Sequence, residues 1–399
     1  MKNAAVVCEF DPLHKGHEYL IRKTRESGAE RIVCILSGAI CQRGEPAFFS
    51  KHERARAAIL AGADIVVELP YPYSGASAEH FAFGAVSIAR RIGGVDTLAF
   101  GCECADKNLL LTCAERLLSP EFDDEYKKKV KTSPQLSAAA AMESAYASLY
   151  GDGSLLRGAN NVLAIEYIKA AKRANAGLDL FPVSRIGADH GETGEREGFC
   201  SASYIRERAR SGDGIGELVA DGCACVFENE LEAGRVSLGF DALGEALLLH
   251  FRMLDDDTEE TAETAGGLRQ RMIRAARSCA EPKEFFESLK TKRFTEARLR
   301  RAMLFSLCGV TQEDLRTEPS YTTLLAANES GVALLSEYKK SREITVVSNP
   351  SALGRLQEKH HRQKLLCSRA EGVRALALKN KASPDRVLAT PPFILKEKK

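Results

Sequence analysis

Short apolar runs rich in β-branched residues alternate with amphipathic stretches through the first half of the chain. The apolar runs predict strands over 4–9, 31–36, 64–68, 97–100 and 178–183, and the amphipathic stretches predict helices over 16–26, 51–61, 82–91, 106–118, 135–150 and 161–174. Short, nearly continuous apolar runs of this kind are typical of strands buried on both faces of a sheet. Strands that alternate with helices at this spacing form βαβ units. We therefore expect an α/β fold built on a Rossmann-like, doubly wound parallel sheet.

The strand pattern fades after about residue 212, and Ala, Leu, Glu and Arg then dominate the sequence. Amphipathic helices are predicted over 245–254, 267–278, 282–289 and 295–307, and a single β-like run over 343–347. A glycine-rich stretch near 212–230 is typical of a boundary. We expect a first domain over 1–215, a helical domain over 216–338 and a basic segment over 339–399 that packs on the rest.

Composition excludes several classes of protein. Apolar residues make up 44% of the 399 positions and charged residues 28%, a mix too apolar for global disorder. No run of 18 apolar residues occurs, so we expect no membrane span, and the apolar run at 4–8 is too short for a secretory signal. These features predict a cytoplasmic protein. The twelve cysteines form no CxxC motif, so we expect reduced thiols and no metal site.

The net charge of +1 conceals an asymmetry along the chain. Residues 339–399 contain 15 Lys or Arg against five Asp or Glu, an excess of ten positive charges. One strongly basic end favours contact with a polyanion. A solubilising tail has the same composition, and composition alone leaves both interpretations open.

The sharpest chemical signal is His14-Lys15-Gly16-His17, directly after the first predicted strand. A helix that begins there offers free N–H groups and the positive end of its dipole to a phosphate. Gly16 lets a nucleotide approach the backbone, and two histidines three residues apart share one helix face. Their hydrogen bonds to phosphoryl oxygens strengthen as charge develops in a transition state. The alternative is a pair of surface histidines in a βα loop.

A second signal is Ser201-Ala202-Ser203-Tyr204-Ile205-Arg206, at a predicted loop-to-helix junction after the fifth strand. Serine hydroxyls and backbone N–H groups form an anion cradle there, and Arg206 supplies a two-pronged donor for phosphate oxygens. By itself this stretch also fits an ordinary serine-capped helix.

Together, HxGH and S-x-S-x-x-R resemble the HIGH and ISSTxxR motifs of the nucleotidyltransferase superfamily, whose members attack the α-phosphate of ATP and expel pyrophosphate. Three further stretches, 37–47 with QRGEPA, 62–70 with ELP and 160–167 with an Asn pair, narrow the resemblance. With 9–17 they resemble the bacterial tRNA(Met) cytidine acetate ligase family, whose first motif usually reads EYNPFHNGH. Phe10, Asp11, Leu13 and Lys15 depart from that motif, while Glu9, Pro12, His14, Gly16 and His17 agree with it. The resemblance covers 1–210 and weakens beyond.

The resemblance implies a nucleotidyltransferase-type fold and a two-step reaction. Acetate attacks ATP to give acetyl-adenylate, and the wobble cytidine of elongator tRNA(Met) takes the acetyl group to become N4-acetylcytidine. His14, His17 and Arg206 are the implied catalytic residues, and Mg²⁺ is inferred from the ATP chemistry. The implied ATP-binding residues are Val7, Cys8, Glu9, Phe10, Asp11, Pro12, Leu13, His14, Lys15, Gly16, His17, Glu18, Tyr19, Leu20, Gly101, Asn161, Arg185, Ser201, Ser203 and Arg206.

A tRNA substrate requires a basic surface. Six cations lie within twelve residues, in a stretch that resembles the family's basic helix: Lys290, Lys292, Arg293, Arg298, Arg300 and Arg301. At helical spacing Arg293, Arg300 and Arg301 share a side. With the basic segment 339–399 they are expected to bind tRNA phosphates. The long connection over 37–50 is a candidate lid, in which Arg43 is either a phosphate or tRNA contact or a plain surface cation.

Two other functions remain open at this point. One is a coenzyme-forming adenylyltransferase that acts on phosphopantetheine or nicotinamide mononucleotide. Such an enzyme would share both phosphate motifs, but this function does not explain the long basic C-terminal part. A non-enzymatic RNA-binding protein could use the same domain as a nucleotide sensor. The intact His14, His17 and Arg206 argue against that interpretation.

Overall fold

The computed structural model describes residues 1–185, 200–255, 260–291 and 293–396. Within them the strands are β1 (Asn3–Cys8), β2 (Arg31–Ser37), β3 (Ile40–Cys41), β4 (Glu45–Pro46), β5 (Ile65–Leu69), β6 (Thr97–Cys102), β7 (Asp179–Ser184), β8 (Tyr321–Asn328), β9 (Thr345–Val347) and β10 (Phe393–Leu395). The first nine helices are α1 (Lys15–Glu26), α2 (Lys51–Leu60), α3 (Ala78–Arg91), α4 (Lys107–Leu117), α5 (Pro120–Thr132), α6 (Ala138–Tyr150), α7 (Ala159–Arg173), α8 (Ala202–Ser211) and α9 (Ala224–Glu232).

The second half of the chain is mainly helical, as the sequence predicts. Its helices are α10 (Gly244–Met253), α11 (Leu268–Ser278), α12 (Pro282–Leu289), α13 (Glu296–Cys308), α14 (Gln312–Arg316), α15 (Glu329–Glu337), α16 (Pro350–Leu353), α17 (His361–Ala377) and α18 (Asp385–Leu388). None of the described helices is long and apolar enough to cross a membrane.

The central sheet has the predicted doubly wound arrangement. Its parallel strands lie in the order β5-β2-β1-β6-β7, so the order of the strands along the chain reverses between β1 and β6. In open α/β sheets, ligands bind outside the carboxyl ends of the strands at such a switch point. The fold therefore places a crevice at the ends of β1 and β6, next to the HxGH motif.

The strand pattern fades after residue 212 in the sequence but continues in the structure, where β9 confirms the run predicted over 343–347 and β8 and β10 are additional strands. Strand β8 pairs antiparallel with β5, and β10 and β9 pair parallel with β8, which completes an eight-stranded, mostly parallel sheet. The run in β8 is rich in Thr, Leu and Ala, and Leu and Ala are good helix formers, so its composition gives a weak strand signal. Residues from 216–338 and from 339–399 thus join the same sheet, and the division into three domains stays a prediction.

Alternate side chains of the strands reach two different apolar clusters, as the pleat of a strand requires. Ala5 and Val7 of β1 contact a cluster that includes residues of α3, α4 and α7, whereas Val6 packs in a cluster with residues of α1, α2, α8 and α9. A third cluster joins α10, α11, α12, α13 and α17 to the loops after β2 and β5, through Ile40 and Tyr71. The helical part is therefore packed directly against the loops around the crevice.

Candidate functional site

The chain turns sharply where β1 ends. Phe10 is fully buried and has a φ of +47°, in the left-handed region that side chains other than glycine rarely adopt. The turn brings the Asp11 carboxylate against the loop over 37–50, where its oxygens accept the N–H groups of Phe48 and Phe49 at 2.7 and 2.9 Å. Asp11 therefore joins the first motif to the QRGEPA loop.

His14 and His17 form a reciprocal cap at the start of α1. The Nδ1 atom of His14 accepts the N–H of Gly16 at 3.1 Å, and Nδ1 of His17 accepts the N–H of His14 at 3.4 Å. The two rings stack with their centroids 3.7 Å apart. Because each Nδ1 is an acceptor, a neutral ring carries its hydrogen on Nε2, and Nε2 is then a donor suited to a phosphoryl oxygen.

A second helix N-terminus lies beside the first. Ser201 caps α8 by accepting the N–H of Tyr204 at 3.3 Å, and its hydroxyl is 3.0 Å from that of Ser203. Arg206, one turn into α8, donates to the carbonyl of Asp11 at 2.6 Å. Two helix N-termini and the Arg206 guanidinium therefore lie in the same crevice, an arrangement that favours polyanions.

The far wall of the crevice lies at the ends of β6 and β7. A methyl group added to Gly101 would lie 3.5 Å from the Arg185 side chain, which itself lies 3.5 Å from the Asn160 side-chain oxygen. Asn161 supports this wall from behind, because its side-chain oxygen accepts the N–H of Cys104 at 2.8 Å. The Glu103 carboxylate accepts the N–H groups of Asn160 and Asn161, and these bonds outweigh burial and lower its pKa.

One cleft collects most of the residues that the sequence predicts for ATP. It is lined by Val7, Cys8, Glu9, Phe10, Asp11, His14, Gly16, His17, Tyr19, Leu20, Gly101, Arg185, Ser201 and Arg206. The remaining predicted residues do not line it, namely Pro12, Leu13, Lys15, Glu18, Asn161 and Ser203. For the Asn pair, Asn160 lines the cleft and Asn161 does not, because Asn161 is buried and bonded to the loop after β6.

Sequence reasoning missed an apolar wall in the same cleft. Phe81, Phe100, Leu163 and Tyr167 line it, and the rings of Phe100 and Tyr167 lie 5.8 Å apart. In the sequence these residues follow the apolar periodicity of core helices and strands, so the sequence does not distinguish them from ordinary core residues. Arg43 and its neighbour Gln42 also line the cleft, within the candidate lid.

A fully buried arginine, which sequence reasoning also missed, organises the base of the cleft. Arg54 donates to the carbonyls of Glu9, Gly38 and Phe49 and to the Ser37 hydroxyl, at 2.6 to 3.1 Å. It therefore fixes the end of β1 relative to both ends of the candidate lid. In the sequence, only its position as a charged residue close to the alanines of α2 distinguishes Arg54.

The loop over 37–50 is a docked hairpin. Strands β3 and β4 pair antiparallel, and the Glu45 carboxylate forms an ion pair with Arg300 of α13. Gly44 has a φ of +73°, and a Cβ atom there would lie 2.7 Å from the backbone nitrogen of Arg301. The hairpin therefore packs tightly against α13 while its tip presents Gln42 and Arg43 to the cleft.

The predicted basic helix is only partly a helix. Helix α12 ends at Leu289, and α13 begins at Glu296 after a Thr295 cap, so Arg293 does not share a helix face with Arg300 and Arg301. The Thr295 hydroxyl accepts the N–H of Arg298 at 3.3 Å, which sets the start of the helix.

Several cations of this stretch already pair with carboxylates, which leaves them less available to bind phosphates than the sequence indicates. Arg301 pairs with Glu263 at 2.9 Å, Arg300 pairs with Glu45 and Glu296, and Lys290 pairs with Glu287 at 2.7 Å. Arg293 and Arg298 instead lie over the ring of Phe294. Lys292 lies outside the described residues.

The described residues contain no group of three or more His, Cys, Asp or Glu side chains that could hold a metal ion. The imidazoles, hydroxyls and guanidinium groups of the cleft suit phosphate oxygens, and Glu9 and Asp11 are the two carboxylates that line it. All twelve cysteines lie within the described residues, and none of them forms a disulfide bond.

Comparisons with known proteins identify the family of the chain. A family model described as HIGH Nucleotidyl Transferase matches residues 1–385. The tRNA(Met) cytidine acetate ligase of Thermosipho melanesiensis is 31% identical over 363 residues, covering 88% of this chain and 85% of that protein. The ligase of the same name from Acetivibrio thermocellus is 33% identical over 366 residues, covering 87% and 88%.

Solved structures are similar over the whole chain. The apo crystal structure of Thermotoga maritima TmcAL is 28% identical, covers 99% of this chain and 100% of its own, and has a TM-score of 0.91. The same protein bound with alpha-thio ATP has a TM-score of 0.90. The chain therefore belongs to the HIGH nucleotidyl transferase family and, within it, to the tRNA(Met) cytidine acetate ligases.

Proposed function

We propose that this protein is an ATP-dependent ligase that forms N4-acetylcytidine at the wobble position of elongator tRNA(Met). The observation that carries the proposal is the cleft at the switch point of the sheet, where His14, His17 and Arg206 lie between two helix N-termini. Membership of the ligase family supports the reaction, and the cytoplasm, where ATP and tRNA occur together, is its proposed location.

In the first step, an oxygen of acetate attacks the α-phosphate of ATP, acetyl-adenylate forms, and pyrophosphate leaves. His14 and His17 would donate from Nε2 to the oxygens of the pentacoordinate α-phosphate, where negative charge builds up. Arg206 and Ser201 would hold the leaving pyrophosphate at the N-terminus of α8, and Ser203 would act through its hydrogen bond to the Ser201 hydroxyl. Most of the catalysis is then positioning and charge stabilisation, as expected for transfer at phosphorus.

The adenosine part of ATP would lie along the ends of β1, β6 and β7. Gly101 leaves room at the end of β6, and Arg185 and the Asn160–Asn161 pair form the wall behind it. Asn161 would act on ATP indirectly, because its side chain holds the loop after β6 while the neighbouring Asn160 lines the cleft. Mg²⁺ would arrive with the phosphates of ATP, since the cleft offers few ligands for it.

In the second step, the exocyclic amine of cytidine attacks acetyl-adenylate, and AMP leaves. The anticodon base must be unstacked to reach the cleft, as bases usually are when an enzyme acts on them. Arg293, Arg298 and the exposed cations of 339–399 are the proposed tRNA contacts, with Lys290, Arg300 and Arg301 contributing less because carboxylates already pair with them.

Two assays of the same protein test the proposal. Acetate-dependent exchange of labelled pyrophosphate into ATP measures the first step, and labelled acetate recovered in tRNA measures the second. We expect both, with the second confined to elongator tRNA(Met). Exchange that depends on phosphopantetheine or nicotinamide mononucleotide instead of acetate would favour the coenzyme adenylyltransferase.

A further inference from the structure

Two carboxylates line the cleft, and they are used differently. Both oxygens of Asp11 accept backbone N–H groups of the hairpin loop, so this carboxylate is committed to holding the loop. Glu9 accepts the N–H of Gln42 through Oε1 at 2.7 Å. Among the described residues, no hydrogen bond uses Oε2 of Glu9. The cleft therefore contains one carboxylate oxygen that the fold itself does not need.

The surroundings of Glu9 make it a stronger base than an ordinary surface carboxylate. Burial raises the pKa of Glu9, and the negative charge of Asp11 raises it further. The N–H of Gln42 and the positive charges of Arg206 and Arg54 oppose this rise without cancelling it. A carboxylate with a raised pKa accepts a proton more readily at neutral pH.

The two steps of the proposed reaction differ by one proton. Acetate enters the first step as a carboxylate and has no proton to lose. The cytidine amine of the second step carries two protons and must give one up as its nitrogen becomes an amide. A base is thus required only when the acetyl group is transferred to tRNA.

The two histidines are poorly suited to be that base. Each accepts a backbone N–H at Nδ1, so a neutral ring already carries a hydrogen on Nε2 and has no acceptor left. Their arrangement fits donors to phosphate. Among the groups that line the cleft, this leaves the Glu9 carboxylate as the best-placed proton acceptor.

We propose that Glu9 is the general base of acetyl transfer, an inference that rests on the proposed function. The lone pair of the cytidine N4 atom attacks the carbonyl carbon of acetyl-adenylate, and an N4 proton passes to Oε2 of Glu9. The bond between the carbonyl carbon and the phosphate oxygen then breaks, and its electron pair leaves with AMP. The protonated Glu9 finally releases its proton to water.

The test compares the two steps in the Glu9→Gln variant. The amide oxygen of Gln can still accept the N–H of Gln42, so the loop contact is kept. We expect single-turnover acetyl transfer to tRNA to fall about 100-fold or more, at least roughly tenfold more than acetate-dependent pyrophosphate exchange, which reports any contact of Glu9 with ATP. Glu9→Asp restores a carboxylate and should recover part of the transfer rate. Glu30→Gln, at an exposed position between α1 and β2, is the matched control for loss of one charge.

The outcomes separate this inference from the function on which it rests. Unchanged transfer in Glu9→Gln would overturn the role of Glu9. An equal loss in both steps would also overturn it, because contact of Glu9 with ATP alone would then explain the loss. A wild-type protein that exchanges pyrophosphate but forms no acetylcytidine would overturn the proposed function itself, and the base role with it. A matching melting temperature for wild type and variant shows that the fold is intact.

Discussion

At the scale of single residues, the spacing of the HxGH motif is explained by hydrogen bonds to the backbone. His14 and His17 cap α1 through Nδ1, and Gly16 provides one of the N–H groups that they accept. The same bonds fix which nitrogen of each ring is a donor. One set of hydrogen bonds therefore starts the helix and sets the orientation that the proposed phosphate contact of the two imidazoles requires.

The His17→Ala substitution tests this pairing. Because it removes a donor that acts on the developing charge, we expect acetate-dependent pyrophosphate exchange to fall about 100- to 1,000-fold. Arg22→Ala, on an exposed part of α1, serves as control and should exchange at the wild-type rate. Full exchange activity in His17→Ala would contradict the assignment of His17 to the reaction.

A second prediction concerns His52, whose ring donates to the carbonyl of Val387 at 3.0 Å. Burial, helped by the charge of Lys51, lowers the pKa of His52 to about 4. The unfolded chain takes up this proton near its ordinary pKa of about 6.5, and the folded protein does so only near 4, so folding becomes less favourable as the pH falls through this window.

Urea unfolding at pH 7 and pH 4 measures this effect. We expect the free energy of unfolding of wild type to fall by about 3 kcal/mol more than that of His52→Gln, which keeps a donor for Val387 but does not titrate. Carboxylates also titrate over this range, and the comparison subtracts them because both proteins contain them. Equal losses in the two proteins would show that His52 is not held neutral.

At the scale of elements, the hydrophobic pattern predicts the parallel strands because they are buried on both faces, and most helices because they bury one face. The hydrophobic pattern does not predict elements that depend on partners distant in sequence. Strand β8 is recognisable only from its place beside β5, and the start of α13 depends on a Thr295 cap within a run of cations. Lys51 pairs with both Glu68 and Glu371 in the interior, and no local pattern indicates that three charges far apart in sequence meet there.

Docking of the hairpin on α13 is testable with two glycines. Gly44→Ala suffers both the positive φ and a Cβ atom 2.7 Å from the Arg301 backbone nitrogen, whereas Gly28→Ala has a φ of +100° and no atom within 4 Å. We expect Gly44→Ala to lose about 1–3 kcal/mol more free energy of unfolding than Gly28→Ala. Equal losses in urea unfolding would mean that the hairpin is not held against the helix.

At the scale of the whole molecule, the basic C-terminal segment is joined to the loop that borders the candidate cleft. Arg374 of α17 is buried and donates to the carbonyls of Ala47 and Phe48 at 2.8 and 3.2 Å. The following N–H groups, of Phe48 and Phe49, hold Asp11. Charge counting along the sequence predicts a basic surface here, but it does not show that some of these cations serve inside the fold.

The tRNA surface is therefore expected to depend on the cations that carboxylates do not neutralise. Reversing the charge in Arg293→Glu and Arg298→Glu should weaken tRNA binding and make the slope of affinity against salt less steep, by about one for each phosphate that the variant no longer binds. Reversal at Lys127, on the exposed face of α5, is the control and should leave both unchanged. If the double variant kept the wild-type affinity and salt slope, this stretch would not bind tRNA. Arg300→Glu is a poorer probe, because it also breaks the pair with Glu45.

The chemical identity of the product on tRNA is the decisive observable for the proposed reaction. The protein is incubated with ATP, Mg²⁺, isotopically labelled acetate and total bacterial tRNA, and nuclease fragments are analysed by mass spectrometry. We predict labelled N4-acetylcytidine at the wobble position of elongator tRNA(Met), dependent on ATP and absent with His17→Ala. Labelled acetate in no tRNA fragment, under conditions in which the protein exchanges pyrophosphate with ATP, would contradict the proposed reaction.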